Sequence, residues 1–248
     1  MRKRYTLIPI LLLAALTLVV SVGNAAKPTM VREHMNGTPV PLNVTTLQNL
    51  ATTCTLGITD PGAWIVNYIY PPEDGYYTLL DPALCNCTGT GGVLLATAHA
   101  LLNFPMVCSI PVRVGIVAAD LTDPACPVPI KGQYLCPPAT YNVSVAAIGN
   151  YDITFPLPAG CCITQKAFLE VTFMTSGTCT TVPKLITSDI CNGCTSYNIW
   201  PGSSGYNVDD LCIDIGFPGN PVMFVDATCC DVVPAHTGTW GRLKVLYR

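Results

Sequence analysis

Residues Tyr151–Phe173 read YDITFPLPAGCCITQKAFLEVTF, and this stretch decides the fold. Two strand-like runs meet at a Pro-x-Pro-Ala-Gly corner that is closed by adjacent cysteines. In the second run Ala167, Leu169, Val171 and Phe173 alternate with Phe168, Glu170, Thr172 and Met174. That period of two is expected of a strand with one face in a core. Neighbouring residues of a strand face opposite ways, so Cys161 and Cys162 must find different partners.

Outward from this centre the pattern repeats. Strand-like runs cover Ala63–Tyr70, Tyr76–Leu80, Gly92–Asn103, Ile110–Ala118, Tyr134 with its neighbours, Tyr141–Ile148, Asp152–Leu157, Ala167–Thr175, Leu185–Thr187, Asn207–Ile215, Val222–Asp226 and Arg242–Tyr247. Gly, Pro, Asp and Asn separate them. About a dozen short strands with regular turn signals predict an all-β fold, a two-sheet antiparallel sandwich or jelly roll. Leu94–Leu102 has helix-like Ala and Leu content, but Gly91-Gly92 opens it and Pro105 closes it, which favours a buried strand. The last run alternates Arg242, Lys244, Leu246 and Arg248 with Leu243, Val245 and Tyr247, the charged pattern of an edge strand.

The chain opens with Arg2, Lys3 and Arg4, an apolar run from Leu7 to Val22, and Gly23-Asn24-Ala25. This is the pattern of a secretory signal peptide, residues 1–25, cut after Ala25. The apolar run is shorter than the about 20 residues that cross a bilayer, and no membrane span is expected once it is removed. Residues 26–53 read as an extended, proline-punctuated arm. Residues 54–248 read as one sandwich domain, with a division near Asn150 as the alternative. Asn36, Asn43, Asn86 and Asn142 each open a glycosylation sequon.

Removing Arg2, Lys3 and Arg4, and no acidic residue, moves the formal charge from −3 to −6. Between Glu33 and Gly241 the only basic residues are Arg113, Lys131, Lys166 and Lys184. Phosphate binding needs clustered cations, so nucleic acid is not an expected partner. Charged residues make up 11% of the chain, against about 25% in an ordinary soluble domain. A surface of Thr, Ser, Asn, Gly and Pro is weakly hydrated and suited to self-association or contact with other surface proteins.

Fourteen cysteines follow the signal: Cys54, Cys85, Cys87, Cys108, Cys126, Cys136, Cys161, Cys162, Cys179, Cys191, Cys194, Cys212, Cys229 and Cys230. In an exported chain an even count predicts a disulfide framework whose connectivity the sequence leaves open. Cys85 and Cys87 are expected to pair outward rather than with each other. The competing reading is zinc held by Cys191-x-x-Cys194 and a second cysteine pair.

The runs IPVRVGIVAAD, YDITFPLPAGCC, TSYN (Thr195–Asn198) and DLCIDIGFPGNPVMFVDATCC, across Tyr70 to Cys230, resemble a loose group of secreted, cysteine-rich bacterial β-sandwich proteins without assigned function. The resemblance implies a jelly-roll-like fold and an extracellular or cell-surface location, and no catalytic residue.

Candidate chemistry is sparse. His34, His99 and His236 stand in no catalytic motif, and no Gly-x-Ser-x-Gly elbow or HExxH is present. Asp210 and Asp214, read as one strand face with Cys212, would stand roughly 13 Å apart at ~3.3 Å per residue, too far for a glycosidase pair or one calcium. With carboxylates from other strands, Asp209, Asp210 and Asp214 are still the candidates for a structural calcium, and no other cofactor is expected. Tyr197, Asn198, Trp200 and Tyr206, in the polar stretch SYNIWPGSSGYN read as a loop, are the candidates for stacking on and hydrogen-bonding to a polysaccharide. The expected function is non-catalytic: an extracellular structural or adhesive protein with weak glycan binding. The alternatives are a fibre or pilus subunit that donates a strand from its N-terminal arm, with Val40, Leu42, Val44 and Thr46 on one face, and a secreted hydrolase.

Overall fold

The computed structural model describes residues 29–35, 54–87, 91–203 and 205–230. The signal segment, the donor run Val40–Thr46, His236, the sequons at Asn36 and Asn43, and the run Arg242–Tyr247 lie outside the described residues. Within them are fourteen strands: β1 Val31–His34, β2 Cys54–Gly57, β3 Trp64–Asn67, β4 Asp74–Leu80, β5 Gly92–Phe104, β6 Ser109–Asp120, β7 Val128–Ser144, β8 Gly149–Pro156, β9 Cys162–Ile163, β10 Ala167–Phe173, β11 Lys184–Thr187, β12 Ser196–Gly202, β13 Gly205–Asp210 and β14 Met223–Cys230. One 3-10 helix, Pro82–Cys85, follows β4. No helix among the described residues is long and apolar enough to cross a membrane, which says nothing of a crossing by strands.

Two antiparallel sheets result. The first runs β1-β3-β11-β5-β14-β2, with β8 and β9 also paired to β5; the second runs β13-β12-β4-β10-β6-β7. The period-two pattern of β10 sets the register: Val171 pairs with Tyr76 of β4 and with Val114 of β6. Ala167, Leu169, Val171 and Phe173 join Tyr76, Leu80, Val112, Val114 and Ile116 in the core between the sheets, met by Ala98, Leu102, Phe104 and Val225 of the first sheet.

The other face of β10 is buried as well, a difference from a strand with only one face in a core. Phe168, Glu170 and Thr172 have no exposed surface. Phe168 packs with Tyr77, Val117, Tyr197 and Ile199 in a second apolar cluster, against which Tyr134 and Val128 of β7 lean. The cause lies in β7, read from sequence as two short strands and found as one strand of 17 residues. Its stretch Val128–Ala139 stands opposite only Val114–Asp120 of β6, and the surplus is taken up by repeated register shifts. Bulges of this kind bend a strand. Here they lay the Tyr134 ring over Gly115, where a Cβ would meet it at 2.7 Å.

Two further differences concern the site candidates. Ser196–Gly202 is a strand, so the expected polar loop is a hairpin that pairs Ser196–Gly202 with Gly205–Asp210. The run Asn207–Ile215 stops as a strand at Asp210. Within the arm, Val31–His34 adds to the edge strand β3 of its own sheet, with all four side chains exposed.

All fourteen cysteines are paired: Cys54–Cys85, Cys87–Cys229, Cys108–Cys179, Cys126–Cys194, Cys136–Cys161, Cys162–Cys230 and Cys191–Cys212. Cys161 and Cys162 do part company, as do Cys85 and Cys87. Cys191 and Cys194 bond to different partners, which replaces the zinc reading with two bridges.

Candidate functional site

The hairpin β12–β13 does not gather its four expected sugar ligands on one surface. Tyr197 and Ile199 face the outer cluster, so by alternation Asn198 and Trp200 face the other way. Asn198 is fully buried. Its Nδ2 donates to Asp74 Oδ1 and to the Gly75 carbonyl, both at 2.9 Å, while Asp74 Oδ2 accepts from the Tyr70 amide at 2.8 Å and the Tyr76 hydroxyl at 2.9 Å. Asn198 is therefore a structural link between β12 and β4. Tyr197 is buried too, and burial with the nearby Asp210 charge pushes its hydroxyl up to about 12. Trp200 is half-buried, and its indole N–H donates to Asp209 Oδ2 at 2.6 Å. Tyr206 is 49% exposed on the opposite face; its hydroxyl donates to Glu73 Oε2 at 2.6 Å, and Lys131 Nζ lies 3.2 Å from its ring centre.

The three aspartates considered for calcium accept hydrogen bonds from the protein itself. Asp210 Oδ1 takes the amides of Cys212 and Ile213, at 2.8 and 2.9 Å, and its Oδ2 takes the amide of Cys194. A carboxylate that captures the amides two and three residues on builds a turn, and this is why β13 ends at Asp210. The turn brings Asp214 Oδ2 back to the Asp210 amide at 2.7 Å, so Asp210 and Asp214 are neighbours and not separated along a strand. Among the described residues no three His, Cys, Asp or Glu side chains form a group that could hold a metal ion.

A buried ion pair that sequence reasoning missed crosses the second sheet beneath Tyr134. Glu170 Oε1 accepts from Arg113 Nη2 at 2.8 Å and Nε at 3.2 Å, and from Thr172 Oγ1 at 2.7 Å. Burial and the Glu170 charge hold the Tyr77 hydroxyl well above its ordinary range and push Tyr134 up to about 12. Burial pulls the Lys131 ammonium down.

A second ionisable constellation among the described residues lies on the outer face of the first sheet. Ala98, Ala100 and Leu102 of β5 point into the core, which leaves His99 on the opposite face, stacked on Phe224 at 4.3 Å and 8°. Its Nδ1 lies 3.0 Å from both oxygens of Asp152 on β8, and its Nε2 lies 3.3 Å from Asp226 Oδ2 on β14. Burial alone would lower the imidazolium pKa; the two carboxylates outweigh it and raise the value. Acid–base activation of a nucleophile needs one ring nitrogen free to accept its proton, and here carboxylates occupy both. The arrangement ties three strands together. His34, by contrast, is exposed at the end of β1, edge-on to Trp64 at 5.0 Å.

Comparison with known proteins follows this geometry. Residues 43–227 match the family described as a domain of unknown function, DUF7451. The chain belongs to this family. No curated protein matches it significantly. A solved structure of similar shape is that of the cysteine protease and lectin-like domains of Cwp84, a surface layer associated protein of Clostridium difficile. Identity is 10% and the TM-score 0.43, over 68% of this chain and 34% of that one.

Proposed function

We propose that this DUF7451 protein is exported and works outside the cell as a non-catalytic β-sandwich that binds or coats, at the cell surface or in the matrix around it. The closure of all fourteen cysteines into seven bridges carries this reading, because disulfide frameworks form and persist in oxidising compartments and are rare in a reducing cytosol. The sparse charge of the chain and the signal-like leader agree with it. The His99 constellation supports a binding role over a hydrolytic one, since both ring nitrogens serve carboxylates. Weak affinity for glycans belongs to the same reading.

The test is to express the full chain in a host that exports it, fractionate the culture and alkylate without reduction. The reading expects the protein in the medium or on intact cells, a mature N-terminus near Ala26 and no alkylated cysteine by mass spectrometry. The purified protein should be retained by isolated cell envelopes. Retention in the cytoplasm with several alkylated thiols would overturn export, and turnover of a glycoside or peptide substrate would overturn the non-catalytic part.

A further inference from the structure

Three bridges converge on one end of the sandwich. Cys54–Cys85 fastens the 3-10 helix to β2, Cys87–Cys229 fastens the residue just beyond that helix to β14, and Cys162–Cys230 fastens β9 to the next residue of β14. Between the helix and the turn Thr164–Lys166 lies a cavity of about 410 Å³, with Val93 in its wall and Gly91-Gly92 along one side. That volume falls in the about 300–1,000 Å³ range of small-ligand sites.

Its polar lining is mixed in a particular way. Asn86, Thr164 and Gln165 are exposed, so two amides and a hydroxyl, each both donor and acceptor, face the opening. The two charges cancel: Lys166 Nζ lies 3.9 Å from Asp81 Oδ2 and also donates to the Pro124 carbonyl at 3.2 Å. Asp81 Oδ1 accepts from the Ala83 amide at 3.0 Å, which caps the helix and fixes the carboxylate. Pro82 and Ala83 add a small apolar surface. A net-neutral site with paired donors and acceptors beside a small apolar wall matches a ligand with adjacent hydroxyls and a C–H face. Walls fixed by disulfides lose little freedom when such a ligand binds.

We propose that this cavity is a binding site for a neutral saccharide unit. The proposal rests on the extracellular binding role above and moves the glycan contact away from the β12–β13 hairpin.

The experiment is an amide-resolved NMR titration of the oxidised protein with millimolar methyl glycosides of glucose, galactose, mannose and N-acetylglucosamine. At least one is expected to shift the amides of Gly91, Gly92, Val93 and Thr164–Lys166 while those of β12–β13 stay in place. Asn86→Gly and Gln165→Ala should each weaken binding about tenfold, the scale of one lost hydrogen bond, and should leave Tm unchanged, since glycine accepts the left-handed backbone at position 86 (φ 48°) and Gln165 is exposed. Ala83→Trp, which fills the cavity and removes no polar group, should abolish the shifts. A lack of response to all four sugars, shifts confined to the hairpin, or parental binding by all three variants would overturn the site. Failure here with envelope retention intact sinks this proposal alone, whereas loss of export or retention sinks the reading beneath it.

Discussion

His99 holds its Nδ1 3.0 Å from both carboxylate oxygens of Asp152, a residue 53 positions away in the chain, and so locks β5 to β8 on the outer face of the first sheet. Its other nitrogen reaches Asp226 of β14 at 3.3 Å. Both bonds are donated only by the imidazolium form, so the clamp depends on pH.

The sign follows from the raised pKa of the folded state. Stabilisation is fully present below the ordinary histidine value of about 6.5 and is lost as pH rises through the higher folded value. The difference in Tm between the parent and His99→Gln should therefore be widest near pH 5 and should narrow as pH rises above neutrality. Asp152→Ala at pH 5 should cost about 3 kcal/mol, the lower end for a broken buried ion pair, because Asp226 remains. A Tm difference that is flat from pH 5 to 9 would show that His99 contributes packing on Phe224 and nothing ionic.

Arg113 and Glu170 make a sharper case, since Glu170 has no exposed surface. Arg113→Met would leave a carboxylate in an apolar layer and should cost about 3–5 kcal/mol at neutral pH. Adding Glu170→Gln should recover much of that loss, because the neutral amide carries no desolvated charge. Urea unfolding of the two single variants and the double variant closes a thermodynamic cycle. Additive losses would mean that the pair is not coupled.

The strands β5, β6 and β10 were legible because each carries a long apolar period, and adjacent cysteines on a strand had to diverge. Strand β12 was not legible. Ser196 and Asn198 made it look like a loop, and acceptors far back in the chain, Asp74 Oδ1 and the Gly75 carbonyl, 124 and 123 residues earlier, allow that amide to be buried. The same limit hid the His99 clamp. Its two carboxylates are brought in by strand register, and the register of β14 against β5 shifts at Asp226/Ala227, a bulge that no local pattern announces. Asp210 and Asp214, expected to stand apart along a strand, are neighbours for a related reason: a carboxylate capturing amides ended the strand at Asp210.

The bridges allow a graded prediction. Cys87–Cys229 spans 142 residues and Cys191–Cys212 spans 21. Cross-linking removes more freedom from the unfolded chain when the loop is longer. The neighbouring Cys162–Cys230 bridge already shortens the first loop, so the expected difference is modest. Replacing both cysteines by Ala should cost about 2–4 kcal/mol in either case, and about 1 kcal/mol more for Cys87/Cys229. Equal losses in denaturant unfolding would place the effect in native packing around each bridge.

Trp200 is the residue on which the structure and the sequence-based expectation part most clearly. In a mobile loop its ring would be free to stack on a sugar, and Trp200→Ala would remove binding without touching the fold. In the hairpin its N–H donates to Asp209 across the strand pair at 2.6 Å, and the ring is half-buried. Trp200→Ala should then cost about 2 kcal/mol, less than the about 3–5 of a fully buried ring, with the hairpin amides exchanging faster with solvent. Trp200→Phe keeps most of the ring and removes the hydrogen bond to Asp209, so about 1 kcal/mol should be lost. Retention on an insoluble polysaccharide, measured below the Tm of each variant, should be the same for all three proteins. Loss of retention in Trp200→Phe at unchanged Tm would return the sugar contact to the hairpin.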